Sequence, residues 1–160
     1  MSSAILALPS DALGQGIAAA LLLQPIPAVV DLYPDGELHF VSDRSGWWNL
    51  YRERGATIEA LFPMEAEFGL PQWQFGTNSW AFADRTRLVV SYTLAGRFRV
   101  GILDVEKQHL RDLAPGLEPG SVLLATATHA VFVAGSPRAP DAVVRVGLES
   151  GGVEPLRAAS

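Results

Sequence analysis

The sequence contains no cysteine. That absence removes disulfides, thiol nucleophiles and cysteine-based zinc sites together, and it fits a reducing compartment, the cytoplasm being the expected one. Positive charge is missing from the start of the chain, the first Lys or Arg being Arg44. A secretory signal needs a basic beginning before its apolar run, so residues 1–30 do not read as one. The apolar run Ile17 to Leu23 falls far short of the roughly 20 residues that cross a bilayer. Histidine is scarce: His39, His109 and His129 stand far apart with no partner at ligand spacing, so no metal site is expected. There is no P-loop and no Gly-x-Ser-x-Gly nucleophile elbow. The "GQG" at 14–16 follows no strand and lacks the rest of a dinucleotide fingerprint. No cofactor is expected, and the chain as it stands is not expected to be an enzyme.

What is present is apolar and turn-rich. The 160 residues suit one ordinary domain, and with 49% hydrophobic residues they can bury a core. A net charge of −5 gives no general attraction for nucleic acid or an anionic membrane, and a soluble protein is expected.

Two regions differ in texture. Residues 1–30 are rich in Ala and Leu and almost uncharged, and read as a leader or a short helix. Ser10 or Asp11 caps such a helix over about 12–23, Gly14 and Gly16 weaken it, and Pro25 and Pro27 end it. Residues 31–160 form the second region, where from Tyr33 onward short β-like runs alternate with turn residues. "ELHFVS", a turn at "SG", "WWNLYRE", a turn at "GA" and "TIEALF" make one phrase. It returns as "TRLVVSYT", "AG", "RFRVGILD" and "KQHLRDL", and again as "HAVFVAGS", "RAPD", "AVVRVGLE" and "GGVEPLR". Aligning Ser42, Tyr92 and Ala134 gives intervals of 50 and 42 residues. That is the period of propeller blades, each a four-stranded antiparallel sheet that stacks on its neighbours. The fold class expected is therefore all-β: a partial propeller of about three blades, with a possible short N-terminal helix. "NSWAFA" (78–83) and "SVLLATA" (121–127) supply the innermost strands of the second and third blades. An immunoglobulin-like sandwich is the competing all-β arrangement.

The phrase "VSDRSGWWNLYRERG" gathers aromatic and basic residues around one turn. Strand alternation puts Trp48 and Leu50 on one face and Trp47, Asn49 and Tyr51 on the other, as suits a blade sandwiched between two others. Asp43 and Arg44 are expected to brace the turn. The acidic balance argues against stacking nucleic acid on Trp47.

"PMEAEFGLPQWQFG" (63–76) is too long for a blade turn. It mixes Glu65 and Glu67 with Phe68, Trp73 and Phe75, and long insertions of this kind in a regular scaffold often carry function. It reads either as a connector capping the core, its carboxylates solvated or paired with Arg44 or Arg97, or as a carboxylate pair at the propeller mouth.

"YPDGELHFVSDRSGWWNLYR" followed by "EAEFGLPQWQFG" resembles the propeller of the prolyl oligopeptidase family of serine peptidases, in particular the bacterial dipeptidyl aminopeptidases and acylaminoacyl peptidases. "VSYTLAGRFRVGILD" and "VFVAGSPRAPDAVVRV" continue the likeness. The first phrase is shared with TolB-type propellers, and the second sharpens the match. The resemblance implies a propeller that gates and contacts peptide substrate for an α/β-hydrolase domain. The nucleophile, the other blades and the hydrolase domain are absent from this sequence, which reads as a fragment prone to self-association when isolated. It further implies that Glu65, Glu67 and Phe68 contact the substrate in the parent enzyme, the glutamates holding its ammonium group. The departures are Tyr33 where a Ser usually precedes "PDG", "ADRTR" in place of a "PDG"-type turn, and Ala66 between the glutamates. The rival function is a free-standing TolB-like or WD-type module that binds a protein partner.

Overall fold

The computed structural model describes residues 30–32, 36–70 and 77–158. The candidate helix over 12–23 and most of the leader lie outside them. The described residues are all-β: twelve strands form three four-stranded antiparallel sheets. Blade 1 contains β1 (Val30–Leu32), β2 (Leu38–Ser42), β3 (Asn49–Arg54) and β4 (Thr57–Ala60). Blade 2 contains β5 (Trp80–Phe82), β6 (Arg87–Leu94), β7 (Arg97–Asp104) and β8 (His109–Asp112). Blade 3 contains β9 (Glu118–Ala125), β10 (His129–Ser136), β11 (Ala139–Gly147) and β12 (Val153–Ala158). In each, neighbours in sequence are neighbours in the sheet. Each blade is a simple meander, as expected of a partial propeller and unlike a two-sheet sandwich.

The innermost strand β5 falls inside the segment expected for it, while β9 overlaps 121–127 but begins three residues earlier, at Glu118, and lies against β5, β6 and β7. The strand β1 straddles the boundary drawn between the two sequence regions. Ser42, Tyr92 and Ala134 each sit on the second strand of their blade, and Tyr92 and Ala134 are buried against the preceding blade.

Two cores run between the sheets. Blades 1 and 2 bury Val41, Leu50, Leu61 and Phe68 against Trp80, Leu88, Val90 and Leu103. Blades 2 and 3 bury Val89, Val100, Ile102 and Leu113 against Leu123, Phe132, Val144 and Val146. Successive residues of β6 thus enter different cores, which period-two alternation requires of a sheet covered on both faces.

The turns joining first and second strands use different chemistry in each blade. In blade 1 Gly36 adopts a φ of 86°, open to glycine without strain. In blade 2 the Asp84 carboxylate replaces it, accepting from the backbone N–H of Thr86 at 3.0 Å and of Arg87 at 2.9 Å. In blade 3 the Thr126 hydroxyl accepts from the His129 N–H at 3.1 Å.

The aromatic-basic phrase builds the fold. Leu50 and Trp48 face blade 2, while Tyr51 stacks on Phe40 on the opposite face with ring centroids 5.8 Å apart. Arg44 departs from the expected brace with Asp43: its guanidinium lies over the Phe40 and Tyr51 rings, 5.2 and 4.8 Å from their centroids. The turn is closed instead by the Gly46 N–H donating to the Asp43 carbonyl at 2.7 Å.

Candidate functional site

After β4, residues 61–68 are held to both blades. Asn49, 1% exposed, donates from Nδ2 to the Met64 carbonyl and accepts the Met64 N–H at Oδ1, both at 3.0 Å. Glu67 then forms a two-way bridge with Thr93 on β6, N–H to carbonyl in each direction at 3.0 and 2.8 Å. The Phe68 N–H donates to the Trp48 carbonyl at 2.7 Å. A segment outside the regular strands therefore has its backbone fixed at Met64, Glu67 and Phe68.

That extended path sorts the side chains. Ala66 and Phe68, each 1% exposed, point into the core between blades 1 and 2. Glu65 and Glu67 fall on the other side, Glu65 exposed and Glu67 half-buried. Phe68 stacks on Tyr92 with centroids 5.4 Å apart and planes 22° apart. Glu67 Oε2 accepts the Trp48 N–H at 2.9 Å. The carboxylates therefore differ: one is anchored to backbone, the other is not. Among the described residues neither forms an ion pair, with Arg44, Arg97 or any other group. Trp73 and Phe75 lie outside the described residues. Gly69 completes the arrangement, since a Cβ there would meet three atoms of the Trp48 side chain at 3.1 Å.

Behind Phe68 lies a polar group that sequence reasoning did not single out. The Tyr92 hydroxyl donates to Asp112 Oδ1, and Arg99 Nη1 donates to Asp112 Oδ2 at 2.8 Å. Burial, then the hydrogen bond to Asp112, pushes the Tyr92 phenol well above its ordinary range, so it stays a neutral donor. Its job is to hold the ring on which Phe68 rests. Tyr, Arg and Asp at 92, 99 and 112 are ordinary strand residues until the pairing of Tyr92 with Arg99 is known.

The β6–β7 hairpin and the connection from β8 to β9 enclose a hollow of about 410 Å³. Phe98, Arg99, Asp112, Pro115 and Leu117 line it. None of these was read from the sequence as a site residue.

Elsewhere the chemistry is structural. His39 is 5% exposed, with Nδ1 3.1 Å from the Glu37 carbonyl oxygen and its ring edge-on to Phe82 at 4.9 Å. His129 Nδ1 lies 2.9 Å from the Thr128 hydroxyl. Among the described residues no cluster of His, Asp and Glu is arranged to hold a metal, and no helix is long and apolar enough to cross a membrane.

No family model and no curated protein matches the chain. Solved structures do. A puromycin hydrolase is 33% identical with a TM-score of 0.75, covering 84% of this chain and 21% of its own. A mutant puromycin hydrolase complexed with PGG gives the same TM-score and coverage at 32% identity. A puromycin-hydrolysing peptidase of Mycobacterium tuberculosis is 38% identical over 76% of this chain and 19% of its own, with a TM-score of 0.69. An oligogalacturonate lyase of Vibrio parahaemolyticus, 14% identical with a TM-score of 0.58, shares the fold alone. The chain thus spans about a fifth of the length of the peptidases it matches. Its three blades belong to the propeller of the prolyl oligopeptidase family of serine peptidases, where they match puromycin-hydrolysing members.

Proposed function

We propose that these blades form part of the substrate-gating wall of a serine peptidase, and that Glu67, assisted by Glu65, receives the free amino terminus of the substrate. An α/β-hydrolase domain outside this sequence supplies the nucleophile, and the 160 residues have no catalytic role alone. The observation that carries this reading is the fixed backbone of 64–68, with Glu67 pinned through Oε2 to the Trp48 N–H. Its second carboxylate oxygen remains for a ligand, and Glu65 stands on the same side. An ammonium group has three donors and no acceptor, so it suits two carboxylates. Phe68 contributes by filling the core beneath, which fixes the height of Glu67, and is not expected to touch substrate directly. The identity to peptidases supports the placement in a hydrolase, and a free-amine peptide or aminoacyl compound is the substrate class this site fits.

The test uses Glu67→Gln and Glu65→Gln in the complete peptidase, with one peptide in free-amine and N-acylated forms. Glu67→Gln is expected to lower kcat/KM on the free amine by roughly ten- to 150-fold, the worth of one charge-assisted hydrogen bond. Glu65→Gln should cost less, because nothing holds that side chain in place. Equal small effects on both peptides end the reading. The isolated chain should match a buffer blank on the same substrates.

A further inference from the structure

Glu67 and the exposed ring of Phe98 occupy successive rungs of one ladder. Glu67 bridges Thr93, and Thr93 pairs with Phe98 across the β6–β7 hairpin. Directly opposed residues on antiparallel strands share a face. Two rungs of about 4.8 Å place the Glu67 and Phe98 backbones roughly 10 Å apart.

Phe98 is 49% exposed, unusual for a ring on a strand whose next inward residue, Val100, is 2% exposed. It stands between two hollows. The first, about 410 Å³, is walled by Pro115 and Leu117 and edged by Arg97. The second, about 440 Å³, opens beyond it over Gly120 and Val133. Pro137 and Glu118 border both. Between Pro115 and Pro137 the half-bare ring offers a flat apolar face, while Arg97, Arg99, Asp112 and Glu118 put charged groups around it. The exposed ring face itself favours another aromatic group.

We infer that the Phe98 hollow is a specificity subsite for an aromatic side chain carried by the amine-bearing substrate. The inference rests on the amino-terminus reading of Glu67. An ammonium at about 2.9 Å from the Glu67 carboxylate and a ring about 5 Å from Phe98 bridge the gap with a single amino acid. An aliphatic side chain in the same place gains less, because it lacks the ring-to-ring contact. Arg97, which forms no ion pair among the described residues, stands at the rim, where it can donate to a substrate carbonyl.

The test is a ligand-observed NMR titration of the 160-residue chain with phenylalanine amide, alanine amide and N-acetylphenylalanine amide. The unmodified chain is expected to prefer phenylalanine amide over alanine amide by roughly three- to ten-fold. Phe98→Ala should bring that ratio close to one, and Phe98→Tyr should retain it. Because Phe98 is exposed, both variants should keep the thermal transition of the parent chain. Glu67→Gln should weaken both free amines alike and leave the ratio standing. An unchanged ratio in Phe98→Ala overturns the aromatic subsite while leaving Glu67 untouched. A ratio that depends on Phe98 together with an inert Glu67→Gln keeps the subsite and overturns the amine site. Failure of phenylalanine amide to bind at tens of millimolar overturns the subsite outright.

Discussion

Blade 2 and blade 3 are both four-stranded meanders, but burial runs differently along their central strands. In β6 every residue from Leu88 to Tyr92 is buried, apolar side chains entering the two cores in turn. In β10 burial alternates: Ala130, Phe132 and Ala134 are buried, whereas Val133 is 38% exposed. In β9 Leu123 is fully buried and its neighbour Leu124 is 63% exposed. Blade 2 has a sheet on each side, and no described residue covers the outer face of blade 3. The sequences are nonetheless similar in kind, because "LVVSY" and "VFVAG" are both apolar on both faces. Blade 3 is written as a strand to be covered twice.

The largest expected effect separates those two environments. Leu103→Ala, in the core between blades 1 and 2, should cost about 2–5 kcal/mol in urea unfolding, because it leaves a cavity between close-packed sheets. Leu124→Lys, on the open face, should change stability by less than about 0.5 kcal/mol. It should also lower the light scattering of the isolated chain, since it charges an apolar face and edge available for pairing. Equal costs for the two substitutions would mean that the outer face of blade 3 is covered in solution. A clean monomer before any substitution would mean that its apolar residues drive no association.

A second, smaller effect tests what joins the two blades beyond apolar contact. Asn78, just before β5, donates from Nδ2 to the Leu123 carbonyl at 2.6 Å and accepts the Leu123 N–H at 2.9 Å. It closes a two-way bond from blade 2 to the innermost strand of blade 3. Asn78→Ala leaves both backbone groups without a protein partner, an expected loss of about 1–3 kcal/mol. Hydrogen exchange should show the loss concentrated in β9, with the core between blades 1 and 2 still protected. Uniform deprotection would instead make the three blades one cooperative unit.

Much of this architecture was legible because blade strands repeat over short distances. The turns "SG" and "AG" carry glycines at positive φ, Gly46 at 88° and Gly96 at 75°, and such local signals sit in the sequence itself. The innermost strands β5 and β9 were legible from apolar runs placed just before each repeat. Val30–Leu32 was harder, since "QPIPAVV" continues the uncharged texture of the leader and only its antiparallel pairing with β2, from Val30 with Phe40 to Leu32 with Leu38, makes it a strand. The site was less legible still. "EAEF" could be picked out as unusual, and its alternation placed both glutamates on one side. The residues that hold it, Asn49, Trp48 and Thr93, come from other strands and act through backbone groups. Arg44 shows the same limit: its nearest acidic neighbour in sequence suggested a pair, while the fold presented two rings. Phe98 looked like any apolar strand residue, and its exposure depends on where the β8–β9 connection runs.

The smallest expected effect concerns acid. Asp84 anchors the turn before β6 and pairs with Arg87 at 2.7 Å, while Arg87 reaches across to Glu149 at 2.8 Å and to the Ala127 carbonyl at 3.1 Å. Burial pushes the Asp84 carboxyl upward, but the backbone N–H groups of Thr86 and Arg87 and the Arg87 guanidinium outweigh it, holding the carboxyl below its usual value. A carboxyl depressed by folding adds stability above its unfolded value of about 3.9, and that stability is lost as pH falls through the lower folded value. Asp84→Asn keeps an oxygen for the two turn amides and removes the charge that Arg87 meets. At neutral pH the variant is expected to be less stable by under about 1 kcal/mol, since the pair is partly exposed and screened by solvent. The difference should shrink below about pH 4 as the aspartate of the parent protein protonates. Urea midpoints of both proteins at neutral and acid pH check this, with the difference between them cancelling the titration of Glu149 and the other acids. A gap that stays constant with pH would place the role of Asp84 in its turn geometry, and would leave the contacts of Arg87 with blade 3 independent of its partner's charge.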